Sequence, residues 1–224
     1  MSGASLILNG LKLCKYDLLL GVRIYIMKKI PTIFKREFEG KNIVRVLPEI
    51  TEGLENVLKY GIATRKYDGA CCAVINGKFY KRYDAKNGKP VPEGAIPCQL
   101  SPDPVTGHFP HWVPVSENDP ADKWFVEAYR HTLRTIDAEF TRDGGLVDGT
   151  YEAVGRHFNG NPYHIECDLL IPHGVDYIKV GRTFEDIRKY LEQNKIEGIV
   201  FWIYGHPAAK IKRSDFGFEW GGRK

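Results

Sequence analysis

A candidate nucleophile, Lys66, opens the stretch KYDG, which lies between two apolar runs. A neutral amine is a good nucleophile, but the ordinary pKa of a lysine, about 10.4, keeps it protonated at neutral pH unless nearby cations favour the neutral form. The Asp68-Gly69 pair is also a strong turn signal, so the stretch could be a hairpin corner in which Lys66 is a solvated charge. The two interpretations are a lysine held in place for chemistry and a plain turn.

Charged residues that could act with Lys66 follow in three strand-like segments. Glu152 lies in TYEAVG, Glu197 in IEGIVFW, and Lys210 and Lys212 in AKIKRSDF. Because side chains alternate along a strand, the two later lysines share one face and could offset charge that develops on a phosphate. Each residue alone has a simpler interpretation as an exposed charge on a strand or, for Glu197, a turn. Their joint occurrence in this order favours phosphate chemistry.

This ordered set resembles the covalent nucleotidyltransferase superfamily, which comprises ATP-dependent DNA and RNA ligases and mRNA capping enzymes. There KxDG is motif I, a glutamate-bearing strand is motif III, EGIV is motif IV and a KxK strand is motif V; the resemblance covers about residues 60–216. The segments KYDGACC, FYKRYDAKNGKPVPEGAIPC, DPVTGHFPHW and GTYEAVGRHFNGNPY are more closely similar to small RNA ligases of phages, large viruses and animals.

The resemblance implies a catalytic role for each motif residue. Lys66 would attack the α-phosphorus of ATP to give a lysyl-AMP, with Lys210 and Lys212 beside the phosphates. Glu197 would bind Mg²⁺ or Mn²⁺ near the α-phosphate, and Glu152 would accept a hydrogen bond from the ribose. The AMP would pass to a 5'-phosphate RNA end, which a 3'-hydroxyl end would then attack. A DNA ligase, a capping-type enzyme, and a nucleotide- or nucleic-acid-binding module without catalysis are the alternatives.

Other nucleotide contacts are expected around these residues. Asp68-Gly69 would fix Lys66 at a strand end and let the backbone approach the nucleotide. Arg82 is the candidate for a phosphate contact, with Lys81 as its rival. Adenine would be covered from the strand DLLIPHG, where the choice between Ile171 and His173 stays open.

Aromatic residues in TGHFPHW are candidates for contact with single-stranded RNA. Phe109, His111 and Trp112 offer rings on which bases could stack. His108 and His111 with Cys98 fit no zinc spacing well, so we favour stacked rings in a proline-rich loop over a metal site.

Composition is compatible with these expectations without requiring them. The net charge of +4 permits contact with nucleic acid, while 43% hydrophobic and 27% charged residues are ordinary for a globular chain. The five cysteines are scattered and odd in number, which indicates a reducing compartment. The reducing compartment favours the cytoplasm, either of the protein's own cell or of a host. We also expect a monomer that acts on RNA ends.

The remaining segments predict an α+β fold with mostly antiparallel strands. Helices are expected at residues 51–61 with Thr51 as N-cap, after Asp119-Pro120, and after Thr183; a hairpin is expected at Asn76-Gly77, and residues 84–120 read as a long loop.

One domain accounts for most of the chain. We expect residues 27–224 to form a single adenylation domain with an ATP-grasp-like ligase core, because the 12 residues after Lys212 leave no room for the OB-fold domain of larger relatives. Residues 1–26 are interpreted as an extension ahead of a start at Met27, with an added strand or helix as the alternative. Charges interrupt their apolar run, which makes a poor membrane span or secretory signal.

Overall fold

The computed structural model describes residue 27 and residues 29–40, 42–85, 89–104 and 106–221. The predicted N-terminal extension, residues 1–26, lies outside the described residues. The described elements, in chain order, are β1 (Phe34–Glu39), β2 (Asn42–Ile50), α1 (Glu55–Tyr60), β3 (Ile62–Lys66), β4 (Ala70–Ile75), β5 (Lys78–Ala85), β6 (Ile96–Pro97), β7 (Phe109–Pro114), α2 (Lys123–Thr135), β8 (Thr141–Arg142), β9 (Gly145–Leu146), β10 (Gly149–Val154), β11 (Leu169–Pro172), α3 (Phe184–Gln193), β12 (Gly198–Ile203) and β13 (His206–Lys212).

Two antiparallel sheets dominate the architecture. One has six strands in the order β11-β10-β4-β5-β7-β6, and the other has three in the order β13-β12-β3. Two-stranded sheets, β1-β2 and β8-β9, complete the set in the described residues. The predicted α+β class with mostly antiparallel strands is confirmed. None of the helices in this part of the chain combines the length and apolar character needed to cross a bilayer.

Each of the two larger sheets has its own buried core. Ile199 and Phe201 of β12 pack in one cluster with Ile187 and Leu191 of α3. The six-stranded sheet packs one face, around Tyr151, against α2. Burial of such apolar side chains stabilises a fold by roughly 25 cal/mol per Å². A further cluster, which includes Tyr80 and Trp112, also lies on strands of the six-stranded sheet, so each sheet has apolar packing of its own.

The KYDG stretch links these two sheets and is not a hairpin corner. Strand β3 pairs with β12, whereas β4 pairs with β10 and β5, so the chain changes sheets between Lys66 and Ala70. The hairpin interpretation was therefore wrong, because the turn signal marks a crossover. The second predicted hairpin is confirmed: Asn76 and Gly77, with φ of 51° and 72°, join β4 to β5.

The helix starts follow the capping signals in two of three cases. Thr183 and Asp186 form a capping box at α3, and Asp119 accepts a hydrogen bond from the Ala121 N–H at the 3₁₀ turn before α2. Thr51 is not an N-cap, because its hydroxyl donates instead to the carbonyl of Thr32 and α1 begins at Glu55.

The region 84–120 contains two strands that the sequence did not indicate. Strand β7 lies between β5 and β6 in the six-stranded sheet and aligns Trp112 with Arg82. Pro110 and Pro114 lie within it, and proline is uncommon in a central strand because it cannot donate to the ladder. The adjacent β6 has only two residues, which leaves β7 close to the sheet edge.

Candidate active site

Sheet register places the predicted motif residues side by side. Gly198 of β12 pairs with Lys66 of β3 on one side and with Lys212 of β13 on the other. Glu197 directly precedes Gly198, so its side chain reaches the ends of both neighbouring strands. Three motifs that are far apart in the sequence thus meet at one end of a small sheet.

A buried carboxylate joins the two lysines. Glu197 Oε2 lies 2.5 Å from Lys66 Nζ, and Oε1 lies 2.6 Å from Lys212 Nζ. The Glu197 side chain is only 4% exposed. Burying a charge is costly unless it is paired, and here each carboxylate oxygen has its own ammonium partner. The cluster therefore carries one negative and two positive charges at the end of β12.

The lysines of this cluster differ in their pKa values. Burial lowers the pKa of Lys66, but the Glu197 carboxylate and then Glu152 outweigh it, so the net pKa is raised. Lys210 has its pKa lowered to about 8, first by burial and then by the charges of Lys66 and Lys212. The effect of neighbouring cations that we expected at Lys66 is thus found at Lys210. Glu197 holds the Lys66 amine protonated in this arrangement.

A cavity of about 430 Å³ opens beside the cluster, a size typical of small-molecule sites. Residues from both larger sheets line it. Its lining includes five of the predicted nucleotide contacts, Lys66, Arg82, Glu152, His173 and Lys210. The two sheets therefore bring these widely spaced residues to one concave surface.

Glu152 connects the wall of the cavity to the Asp68-Gly69 turn. Its Oε1 accepts from the Gly69 N–H at 2.9 Å, and its Oε2 lies 3.0 Å from Nε2 of His173. Nδ1 of His173 lies 3.0 Å from the hydroxyl of Thr150, which can donate to it. Nε2 would then carry the ring proton and donate to Glu152. His173 thus orients Glu152 in addition to lining the cavity.

The residues between which the sequence analysis left a choice differ in their position relative to the cavity. Arg82 lines the cavity, whereas Lys81 forms a salt bridge with buried Asp122, because neighbouring residues of β5 face opposite sides. His173 lines the cavity and Ile171 is not part of its lining. Trp202, which the sequence analysis did not assign, also lines it; its indole N–H donates to Thr64.

The Asp68-Gly69 turn is held by side chains that the sequence analysis missed. Asp68 Oδ1 accepts from Asn159 at 2.9 Å and Oδ2 from the Trp220 indole N–H at 2.8 Å, while its N–H donates to the Tyr163 hydroxyl at 2.5 Å. Asn159 also donates to the Gly69 carbonyl at 2.6 Å. A weak signal existed for the loop, since Asn and Gly in NGN favour the left-handed backbone that Asn159 adopts, with φ of 43°.

The three aromatic candidates for RNA contact belong to strand β7, whereas the sequence analysis placed them in a proline-rich loop. Trp112 is fully buried and His111 is 5% exposed, with the Phe109 ring packed edge-on against that histidine. A base can stack only on an accessible ring face. Phe109, which is half-buried, is therefore the most accessible member of the trio.

Comparison with known proteins agrees with the motif analysis. The chain is 26% identical to RNA ligase 1 of Pongo abelii and 25% identical to RNA ligase 1 of Rattus norvegicus, in each case over 87% of this chain and 82% of the relative. These similarities confirm the resemblance to an RNA ligase family of the nucleotidyltransferase type. A further relative named RNA ligase 1, from Danio rerio, is 27% identical over 62% of this chain and 46% of its own length. No protein-family profile matches the chain.

Proposed function

We propose that the protein is an ATP-dependent RNA ligase that joins 5'-phosphate and 3'-hydroxyl RNA ends through a covalent lysyl-AMP. The observation that carries the proposal is the contact of Lys66 with Glu197, which Lys212 shares, at the edge of a cavity lined by Lys210 and Arg82. A nucleophile, a buried acid and several cations around one cavity suit transfer of a nucleotidyl group. The relatives named RNA ligase 1 support RNA as the substrate.

The first step forms a phosphoramidate at Lys66. Its Nζ attacks the α-phosphorus of ATP, an N–P bond forms, and the bond to the leaving pyrophosphate breaks. The amine must lose a proton to do so. Because Glu197 Oε2, at 2.5 Å, keeps Lys66 protonated, this ion pair would have to open before the attack, and the charges of Lys210 and Lys212 would then favour the neutral amine. Lys210 and Lys212, on one face of β13, balance the negative charge of the phosphates.

The second and third steps move AMP and seal the RNA. A 5'-phosphate end attacks the lysyl-AMP, which releases Lys66 and forms a pyrophosphate-linked, adenylylated RNA end. A 3'-hydroxyl then attacks the 5'-phosphate, and AMP leaves. The RNA ends would thus need access to the same cavity, which is lined by residues of both sheets.

Glu197 is the residue that would hold a divalent metal ion. Within the described residues no group of three His, Cys, Asp or Glu side chains converges as a metal cage. A single buried carboxylate nevertheless fits Mg²⁺, which in nucleotide sites is held by one or two carboxylates together with substrate phosphates. The metal would supply positive charge at the phosphates.

Nucleotide recognition is assigned to the wall formed by β10 and the residue after β11. Glu152, oriented by His173 and Gly69, would accept a hydrogen bond from the ribose. Arg82 would contact a phosphate. The domain would act as an adenylation core of ATP-grasp-like type.

An RNA-joining assay tests the proposal. The substrates are a labelled 5'-phosphate RNA and a 3'-hydroxyl acceptor with ATP and Mg²⁺; a 3'-blocked RNA should accumulate in its adenylylated form. Lys66→Arg, which keeps the charge, and DNA strands of the same sequence are the controls. Joined RNA from wild type but not from the variant is expected. Joining of DNA alone, or a requirement for GTP, would assign the protein to another nucleotidyltransferase class.

A further inference from the structure

We propose that Trp220 is a positioning residue for the nucleophile, and that the segment of residues 217–221 locks the turn after Lys66 in its reactive geometry. This inference rests on the proposed function of Lys66. It comes from a contact that joins residues 152 positions apart, between the Trp220 indole N–H and Asp68 Oδ2, at 2.8 Å.

The turn is held from several sides, and Trp220 supplies one of them. Glu152 of β10 accepts from the Gly69 N–H, and Asn159 and Tyr163 of the loop after β10 bond to Asp68. The indole N–H of Trp220 completes the set by taking the second carboxylate oxygen. Because Asn159 holds Oδ1 and Trp220 holds Oδ2, the carboxylate plane of Asp68 is fixed.

The segment that carries Trp220 is itself fastened to the domain. Arg213 Nε donates to the Glu219 carbonyl at 2.8 Å, and the Phe218 ring stacks near Phe216. The Trp220 ring contacts the ring of Tyr163 at 5.6 Å between centroids. Trp220 therefore has a fixed approach to the turn that does not depend on the Asp68 bond alone.

Asp68 lies two positions after the proposed nucleophile, Lys66. Loss of the Trp220 indole N–H would leave the Oδ2 atom of Asp68 without this donor. A carboxylate freed in this way can rotate, and with it the Lys66-Gly69 turn. A displacement of about 1 Å at a reacting group can slow a reaction by about 10²-fold. The attack by the Lys66 amine is the step most sensitive to such a displacement. Sealing of RNA that already bears AMP does not use that attack.

Trp220→Phe is the variant that tests the inference, because it removes the N–H and keeps an aromatic ring against Tyr163. Single-turnover formation of lysyl-AMP is measured beside sealing of chemically adenylylated RNA. We expect the first rate to fall about tenfold or more and the second to stay within twofold. Tyr204→Phe, at a residue 87% exposed, is the matched control and should leave both rates unchanged.

A double-mutant cycle with Asp68→Asn provides the second measurement. The carbonyl oxygen of the asparagine can still accept from Asn159, but its NH2 group, in the place of Oδ2, cannot accept from the Trp220 N–H. Trp220→Phe should therefore have little added effect in that background. Equal losses in both steps, additive losses in the cycle, or a wild-type rate in Trp220→Phe would overturn the inference. A wild-type protein that forms no lysyl-AMP would instead overturn the proposed function on which it rests.

Discussion

Replacing Gly69 with alanine would push the nucleophile turn away from β10. A Cβ at this position would lie 3.0 Å from the carbonyl carbon of Ala153 and from Cγ of Glu152, and closer still to the Ala153 carbonyl oxygen. Ordinary contacts of a Cβ begin at 3.4 Å. Because the obstructing atoms belong to the backbone of a paired strand, the turn rather than the sheet has to withdraw, by on the order of 1 Å.

The expected consequence is a loss of lysine reactivity larger than the loss of stability. A displacement of about 1 Å corresponds to a fall of about 10²-fold in the rate of lysyl-AMP formation, or roughly 2.7 kcal/mol in the activation free energy. The rate is measured under single-turnover conditions with saturating ATP, beside a thermal unfolding curve. Tyr204→Phe, at a residue that is 87% exposed and far from the turn in the sequence, is the control and should leave the rate unchanged. A Gly69→Ala rate within twofold of wild type would refute the assigned packing of the turn.

Three further predictions address the charge cluster and β7. Glu197→Gln removes the carboxylate that is proposed to hold the divalent metal ion, so lysyl-AMP formation should fall at least about 10²-fold when assayed as an AMP adduct. The same change removes the buried partner of Lys66 and Lys212 and should lower the melting temperature. Burial is the main cause that lowers the pKa of Lys210 to about 8 in the folded protein. Between pH 8 and 10.5 this residue therefore binds fewer protons in the folded state than in the unfolded state, and the free energy of unfolding of the wild-type protein should rise with pH in this window. Lys210→Met should stabilise the protein at pH 7, by up to about 3 kcal/mol, and lose this advantage by pH 10.5 in thermal unfolding. Trp112→Ala should cost about 3–5 kcal/mol in the free energy of unfolding measured with urea, while the KM for RNA of the folded fraction stays unchanged.

The sequence predicted which residues come together better than it predicted the connections around them. Lys66, Glu197 and Lys212 could be singled out because the proposed nucleotidyl transfer needs those residue types, and strand periodicity places Lys210 and Lys212 on one face. Pairing partners could not be found, because a strand of five residues such as β3 has no local feature that selects β12 over β4. The Asp68-Gly69 turn therefore looked like a hairpin.

Contacts between distant residues and tertiary packing account for the remaining differences. Trp220 meets Asp68 across 152 positions, and no spacing rule connects an indole with a turn so far away in the sequence. Strand β7 was hidden by Pro110 and Pro114, which local rules assign to loops. Its burial also removes Trp112 as a stacking surface, a property that depends on tertiary packing and not on residue type.

Intact-mass spectrometry after incubation with ATP and Mg²⁺ tests the central claim most directly. Wild-type protein should gain the mass of one AMP, peptide mapping should place it on Lys66, and addition of a 5'-phosphate RNA should remove it. Lys66→Arg keeps the charge that faces Glu197 and should gain nothing. Well-folded wild-type protein without an adduct, or an adduct that persists in the variant, would contradict the assignment of Lys66 as the nucleophile.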